Sequence, residues 1–152
     1  MQELAELQED PPSYASVALG TTADIRTWQL TLDGPPSTPY SSGRFAVLIR
    51  LPLDYPFKPP LVKFCTRIYH PNVTNDSDGA VCLSLLKSDV WKPSTRMRTV
   101  VEALEELLRA PMPDDALEMG IAEEYRDKRQ VWEHKARSMV EANDGQVIFR
   151  ET

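Results

Sequence analysis

The sequence has few of the residues that build metal centres and disulfide frameworks, and it lacks the long apolar runs that build membrane spans. It contains two cysteines and two histidines in 152 residues, and Cys65 and Cys82 lack the paired spacing and histidine partners of a zinc site. No run of eighteen apolar residues is present, so no helix is predicted to span a bilayer. We therefore expect a soluble protein that uses neither a metal ion nor another cofactor.

An excess of positive charge is also absent. The 17 Lys and Arg residues are outnumbered by 23 Asp and Glu residues, for a net charge of -6. The chain therefore has no basic stripe that would bind nucleic acid phosphates, and other proteins are the expected partners. Its first residues show neither the positive start nor the apolar run of a secretion signal. These features favour the reducing cytoplasm or nucleus, without attachment to a membrane.

The first part of the chain has the apolar patterns of a short helix followed by strands. Alternating apolar and polar residues predict strands over residues 27–33 and 45–51, paired antiparallel, and a third strand over residues 61–65. A weaker strand is expected over residues 17–19. Before them, residues 2–9 have the spacing of a short amphipathic helix, which ends at a pair of prolines.

The second part of the chain changes to helical spacing. A long helix is expected over residues 95–109, with Ser94 or Thr95 as its N-cap and one face covering the sheet. Residues 115–118 have capping-box spacing ahead of another helix, with Asp115 as its N-cap. A last helix is expected to turn five residues inward: Val131, Trp132, Ala136, Met139 and Val140. Strands followed by helices predict an α+β domain.

The stretch from residue 69 to residue 91 departs from this scaffold pattern. A loop rich in Pro, Asn, Asp and Gly is followed by Cys82, between Val81 and Leu83. Such a loop can present a reactive thiol. The alternative is that Cys82 packs as a small apolar side chain, as free cysteines usually do. The residues of this stretch alone are compatible with both.

Five motifs follow one another along the chain: Tyr55-Pro56-Phe57-Lys58-Pro59-Pro60, His70-Pro71-Asn72, Cys82-Leu83, Trp91-Lys92-Pro93 and Pro113-Asp114-Asp115. In this order the chain resembles the ubiquitin-conjugating enzymes, from about residue 10 to residue 140. The resemblance implies one catalytic domain over residues 1–152, with a core over about residues 10–142. It also implies the family's fold: an N-terminal helix, a four-stranded antiparallel meander, a long helix after the active-site segment and two C-terminal helices.

The resemblance implies an acyltransferase in an ATP-dependent pathway. Cys82 would accept the C-terminal glycine of ubiquitin, or of a ubiquitin-like modifier, from the ubiquitin-activating enzyme as a thioester. It would then pass the acyl group to the cysteine of a ligase or to a substrate lysine. The implied partners are the modifier, the activating enzyme, ubiquitin ligases of the RING or HECT/thiol type, and protein substrates.

Other residues at family positions have expected roles beside Cys82. Asn72 would donate a hydrogen bond either to the tetrahedral oxyanion or to the backbone of the loop that carries Cys82. Asp115 would orient the acceptor lysine and accept its proton, while also capping a helix that starts at Ala116. Three residues are expected to have structural roles at the site: His70, Tyr69 and Ser84.

Partner binding is expected at Phe57 and at three residues after Trp91, namely Lys92, Pro93 and Ser94, which match positions that contact ligases and the activating enzyme. An exposed aromatic residue beside a rigid proline loop is a natural hot spot. We therefore expect Phe57 at the surface, although flanking prolines could also hold it in the core. The Tyr55-Pro56 sequence allows a cis peptide bond.

The sequence departs from the family pattern in its charges. The first helix is acidic where relatives are basic, and it is about a turn shorter, so either the chain is shortened or its partner surface differs. Ser84 stands where many relatives carry Asp or Asn, as in members that serve ubiquitin-like modifiers. The outer side of the long helix is acidic, with Thr99, Glu102 and Glu106. The acidic side of this helix, together with Lys92 and Ser84, predicts that the enzyme prefers a ligase cysteine to a lysine as acceptor.

Two other functions account for fewer of these residues. A cysteine hydrolase would need His70 or His134 within hydrogen-bond reach of Cys82. A non-catalytic ubiquitin-binding scaffold of the same fold would typically lack the cysteine, whereas this chain has Cys82 together with Asn72 and Asp115.

Overall fold

The structure is a computed structural model that describes residues 2–20 and 24–150. Its helices and strands follow in the order α1 (Gln2–Glu9), β1 (Ala15–Leu19), β2 (Thr27–Asp33), β3 (Arg44–Arg50), β4 (Leu61–Phe64), α2 (Met97–Arg109), α3 (Met119–Asp127) and α4 (Arg129–Asn143). Single turns of 3-10 helix lie at Ser84–Leu86 and Pro113–Asp115. None of the helices in the described ranges is long and apolar enough to cross a membrane.

The four strands form one antiparallel sheet in the order β1-β2-β3-β4. Leu30 at the middle of β2 pairs with Val17 on one side and with Val47 on the other. Ile49 of β3 pairs with Val62 of β4. Because every strand pairs with the next strand along the chain, the predicted meander is confirmed, including the weaker first strand.

The main core lies between one face of this sheet and the helices. Trp28 and Leu30 on β2 are fully buried, in the same apolar cluster as Val100 and Leu104 of α2. Full burial of one such side chain contributes about 1.5–3 kcal/mol. The apolar stripe of α2 therefore holds the helix on the sheet, as the sequence pattern predicted.

The opposite face of the sheet has a small core of its own. Ala46 and Leu48 of β3 are buried there with Cys65, and Val147 and Phe149 of the C-terminal segment pack over them. Cys65 lies one residue beyond the end of β4 and accepts a hydrogen bond from the backbone N–H of Arg150, at 3.4 Å. The prediction that Cys65 is a packing residue is confirmed.

The predicted N-cap of α2 is wrong. The helix begins at Met97 after Arg96, and no side-chain cap is made by Ser94 or Thr95. Instead, the carboxylate of Glu3 accepts the backbone N–H of Met97 at 3.0 Å and the hydroxyl of Tyr55 at 2.6 Å. A residue far away in sequence caps this helix end, so the local pattern around residue 95 could not indicate it.

The predicted role of Asp115 as an N-cap is also wrong. Residues Pro113–Asp115 form a 3-10 turn, Ala116 is extended, and α3 begins at Met119 without a side-chain cap. The reason is that the N–H groups of Leu117 and Glu118 both donate to the carbonyl of Pro71, at 2.9 and 3.1 Å. This anchorage holds residues 116–118 outside the helix.

One residue of α4 that was predicted to face the core lies at the surface. Trp132, Ala136 and Val140 are buried at four-residue spacing and form the inward stripe of the helix. Val131 precedes that stripe by one residue, which turns it about 100° away, and it is 43% exposed. Met139 is half-buried. The inward side of α4 is therefore narrower than the sequence suggested.

Candidate active site

Cys82 lies in an extended segment that is fastened to the His70-Pro71-Asn72 turn. Its backbone N–H donates to the carbonyl of Asn72 at 2.9 Å, and Val81 forms a bridge with Val73 just before it. The 3-10 turn Ser84–Leu86 begins two residues later. The thiol is free and half-buried, which places it between the sealed and fully exposed states that the sequence left open.

The loop before Cys82 is closed by hydrogen bonds to one carboxylate. Asp76 accepts the hydroxyl of Thr74 and the N–H groups of Asp78 and Gly79, at 2.9 to 3.2 Å. The pKa of Asp76 is lowered, chiefly by the hydrogen bond from Thr74. Gly79 has a φ of 54°, and a Cβ there would lie 1.9 Å from the carbonyl oxygen of Phe64. Both features require glycine at this position.

Asn72 is fully buried, and its side-chain amide is bonded to a distant backbone segment. Nδ2 donates to the carbonyls of Met112 at 2.8 Å and Asp115 at 3.2 Å, while Oδ1 accepts the N–H of Met112 at 2.9 Å. Both N–H groups of the amide donate to backbone carbonyls, as a bracing role requires, and not toward the site of an oxyanion. They brace residues 112–115, whereas the segment of Cys82 is held by the backbone carbonyl of Asn72.

Both ring nitrogens of His70 are bonded to backbone groups. Nδ1 accepts the N–H of Asn72 at 2.9 Å, and Nε2 lies 2.8 Å from the carbonyl oxygen of Leu107, to which it donates as the protonated nitrogen. The ring is fully buried and stacks on Tyr40. Burial lowers its pKa to about 4, so the ring is neutral at neutral pH. This arrangement agrees with the predicted structural role.

Tyr69 connects the same turn to the C-terminal helices. Its hydroxyl donates to Glu124 of α3 at 2.6 Å, and Lys135 of α4 donates to the other oxygen of that carboxylate. The backbone carbonyl of Tyr69 accepts the hydroxyl of the buried Tyr40 at 2.6 Å. Residues 69–72 are thus joined to the core and to both C-terminal helices.

Asp115 carries the charged group at the mouth of the site. Its two oxygens lie 3.1 Å from the ammonium nitrogen of Lys87, and one also accepts the hydroxyl of Ser84 at 3.3 Å. The side chains of Lys87 and Asp115 are 43% and 35% exposed. The hydrogen bond from Lys87 is the main cause of the lowered pKa of Asp115. The carboxylate is therefore ionised at neutral pH.

Cys82 and Asp115 open onto one shallow groove of about 250 Å³. Its floor and walls are mostly apolar and come from three parts of the chain: the active-site segment (Leu83, Ser84, Leu85), α2 (Ala103, Glu106, Leu107) and the segment after it (Ala110, Met112). A groove of this kind suits an extended peptide tail. The sequence motifs had indicated Cys82, Ser84 and Asp115, but not Ala103, Leu107 or Met112.

The residues predicted to bind partners lie apart from this groove. Phe57 is 75% exposed, as predicted, and the Tyr55-Pro56 bond before it is cis. The indole N–H of the buried Trp91 donates to the carbonyl of Pro56 at 2.8 Å, which brings the two loops side by side. Three exposed residues follow Trp91: Lys92, Pro93 and Ser94. Between these loops and α1 lies a hollow of about 450 Å³.

The structure thus brings together Cys82, Asn72, Ser84 and Asp115, with His70 and Tyr69 as supports. Sequence reasoning missed Lys87, whose ammonium is paired with Asp115. In the sequence, Lys87 is recognisable only as a basic residue five positions after Cys82. Nothing in the local pattern connects it with residue 115.

Replacing Asn72 by aspartate tests its bracing bonds. In Asn72→Asp, an acceptor oxygen replaces the donor that faces the carbonyls of Met112 and Asp115. We expect a loss of about 2–4 kcal/mol in the free energy of unfolding, measured by urea denaturation at pH 7, because two part-buried hydrogen bonds of a fully buried residue become unfavourable contacts. The control Asn143→Asp affects one exposed hydrogen bond and should cost at most about 1 kcal/mol. A similar small loss in both variants would contradict the bracing role.

The low pKa of His70 predicts how stability depends on pH. Below about pH 6.5 the unfolded chain binds a proton at this position, and the native ring does not until about pH 4. The free energy of unfolding should therefore be highest above pH 6.5 and lose roughly 3 kcal/mol from this residue as the pH falls to 4. Nitrogen-15 NMR of the His70 ring checks this prediction, because the signals of the neutral Nε2–H tautomer should persist down to pH 5. A protonation midpoint near 6.5 would contradict the prediction.

The sequence and the fold of this chain were compared with those of known proteins. A family model described as ubiquitin-conjugating enzyme matches residues 1–140. The chain is 44% identical over 140 residues to ubiquitin-conjugating enzyme E2 14 of Schizosaccharomyces pombe, covering 92% of this chain and 88% of that protein. The solved ubiquitin conjugating enzyme E2 domain of Toxoplasma gondii superposes with a TM-score of 0.83 at 33% identity, covering 93% of each chain. The expected fold class is thereby confirmed, and the chain belongs to the ubiquitin-conjugating enzyme family of transferases.

Proposed function

We propose that the protein accepts ubiquitin, or a ubiquitin-like modifier, from the activating enzyme as a thioester on Cys82 and transfers it to a ligase cysteine or a substrate lysine. The observation that carries the proposal is the half-buried free thiol of Cys82 in the groove that Asp115 also lines. The groove gives an extended C-terminal tail a place to lie beside the sulfur. We assign the catalytic domain to residues 1–152.

Charging is an exchange of one thioester for another. The thiolate of Cys82 attacks the acyl carbon held by the activating enzyme, a new C–S bond forms, and the thiolate of the activating enzyme leaves. Such an exchange is nearly isoenergetic and needs no histidine base. His70 supports this assignment over the cysteine hydrolase, because both of its ring nitrogens are engaged by backbone groups.

Transfer to lysine requires more of the protein than transfer to a thiol. In this step Asp115 orients the acceptor and accepts a proton from it. Asn72 acts as a positioning residue, because its hydrogen bonds to Met112 and Asp115 use both donors of its amide. Donation to the oxyanion would require one of these buried bonds to break, so bracing is the role that the geometry supports.

The partner-binding surface is assigned to Phe57 together with Lys92, Pro93 and Ser94. The link between Trp91 and Pro56 holds the two loops in one place, so their exposed residues form a single surface for the activating enzyme and for RING or HECT/thiol ligases. A reducing compartment, the cytoplasm or the nucleus, suits an enzyme with two unpaired thiols in its described residues. The ATP-dependent step belongs to the activating enzyme.

Replacing Cys82 by serine tests the thioester. Incubation of Cys82→Ser with activating enzyme, ATP and a panel of modifiers should give an adduct that persists in thiol reductant, because an oxygen ester replaces the thioester. The matched control Cys65→Ser removes the buried thiol behind the sheet and should charge normally, with an adduct that reductant cleaves. A reductant-sensitive adduct on Cys82→Ser would exclude Cys82 as the acceptor.

Replacing Phe57 by alanine tests the partner surface. Because Phe57 is 75% exposed, Phe57→Ala should keep the melting temperature of the wild type while weakening ligase binding by about tenfold or more. The measurement is titration with the domain of a ligase that stimulates discharge. Leu61→Ala, at a residue of β4 that is 66% exposed, is the control and should bind normally. Equal binding of the ligase domain by both variants would exclude Phe57 from the partner-binding surface.

A further inference from the structure

The carboxylate that the proposed function assigns to the acceptor lysine already holds an ammonium group of the protein itself. Nζ of Lys87 lies 3.1 Å from Oδ1 and 3.1 Å from Oδ2 of Asp115. The hydroxyl of Ser84 donates to Oδ2 as well. An incoming lysine that seeks the same two oxygens must therefore compete with Lys87.

The backbone of Lys87 is fixed next to the active-site segment. Its N–H donates to the carbonyl of Ser84 at 3.1 Å, which closes the 3-10 turn. Its carbonyl accepts the N–H groups of Val90 and Trp91, at 2.9 and 2.8 Å, and the Trp91 side chain is buried. With its Cα held in this way, Lys87 loses less freedom when it pairs with Asp115 than a free amine from solution loses.

The negatively charged groups near Lys87 favour the protonated form of its side chain. The raised pKa of Lys87 has the hydrogen bond and charge of Asp115 as its main causes, and Cys82 and Asp89 contribute in the same direction. Lys87 therefore stays protonated. An ammonium nitrogen has no lone pair, so Lys87 is held as a cation and not as a nucleophile.

We propose that Lys87 determines acceptor specificity: it occupies on Asp115 the position of the acceptor ammonium and thereby slows transfer to lysine without slowing transfer to a thiol. The proposal rests on the proposed function of Cys82.

The two transfer reactions differ in how they use Asp115. When an amine accepts, its nitrogen lone pair attacks the thioester carbon, a C–N bond forms, the C–S bond breaks, and Cys82 leaves as thiolate. The nitrogen also loses a proton to Asp115 or to water. When a thiol accepts, its thiolate attacks the same carbon, a C–S bond replaces a C–S bond, and no ammonium has to be bound or deprotonated. Occupation of Asp115 by Lys87 therefore affects the amine reaction alone.

The experiment compares discharge of the charged enzyme to free lysine and to free cysteine, followed on non-reducing gels. The variants are Lys87→Met, Lys87→Arg and Lys87→Met combined with Asp115→Asn. We expect Lys87→Met to discharge to lysine about two- to fivefold faster, as fits the release of one exposed ion pair. Its discharge to cysteine should equal that of the wild type. Lys87→Arg keeps a two-pronged pair with the carboxylate and should behave like the wild type, and the double variant should lose the gain.

A matched control removes the same charge elsewhere. Lys128→Met, at an exposed lysine between α3 and α4, should leave both discharge rates unchanged. An unchanged or slower lysine discharge in Lys87→Met would overturn the proposal. So would an equal change in both reactions, or acylation of Lys87 itself found by peptide mass spectrometry. A wild-type enzyme that forms no thioester at Cys82 would overturn the proposed function as well, and the charging gel reveals that failure before any discharge is measured.

Discussion

The hydrogen bonds of Asn72, from its side chain and from its backbone carbonyl, are the constraint on which the geometry of the site depends. Its amide bonds Met112 and Asp115, and its backbone carbonyl accepts the N–H of Cys82. Met112 and Asp115 follow Asn72 by 40 and 43 positions, and this one fully buried residue joins them to the segment of Cys82. Because a buried amide leaves costly unpaired groups behind when its bonds break, Cys82 and Asp115 are held in a fixed relation across the groove.

The turn that carries Asn72 is itself anchored to α2, to α3 and to the residues just before α3. His70 reaches the carbonyl of Leu107 on α2, and Tyr69 reaches Glu124 on α3. The carbonyl of Pro71 receives two N–H groups from residues 117–118. These bonds connect the turn of residues 69–72 to helices that follow it in sequence. The helices therefore act as supports for the site as well as cover for the sheet.

The charges at the groove separate two kinds of chemistry. Under the proposed function, thioester exchange uses the thiol of Cys82 and the mostly apolar groove beside it, in which a peptide tail can lie. Transfer to an amine also needs an available carboxylate, and Asp115 is engaged by Lys87 and Ser84. Glu106 on α2 adds a further acidic group at the edge. Under the proposed function, the pairing of Lys87 with Asp115 sets the acceptor preference, while the sulfur itself is unchanged.

Sequence by itself determined the order and type of the elements, because alternation and helical spacing are local properties. The bounds of α1 at residues 2–9 and of β2 at residues 27–33 were predicted to the residue. The order of the motifs, through the resemblance to the family, also predicted Cys82, Asn72 and Asp115 as site residues. Tertiary structure alone decided which distant groups meet. Glu3 caps α2, Pro71 holds residues 116–118 out of α3, and Lys87 pairs with Asp115. Each of these contacts joins residues at least 28 positions apart, and no local pattern encodes such a pairing, since it depends on how the whole chain closes on its core.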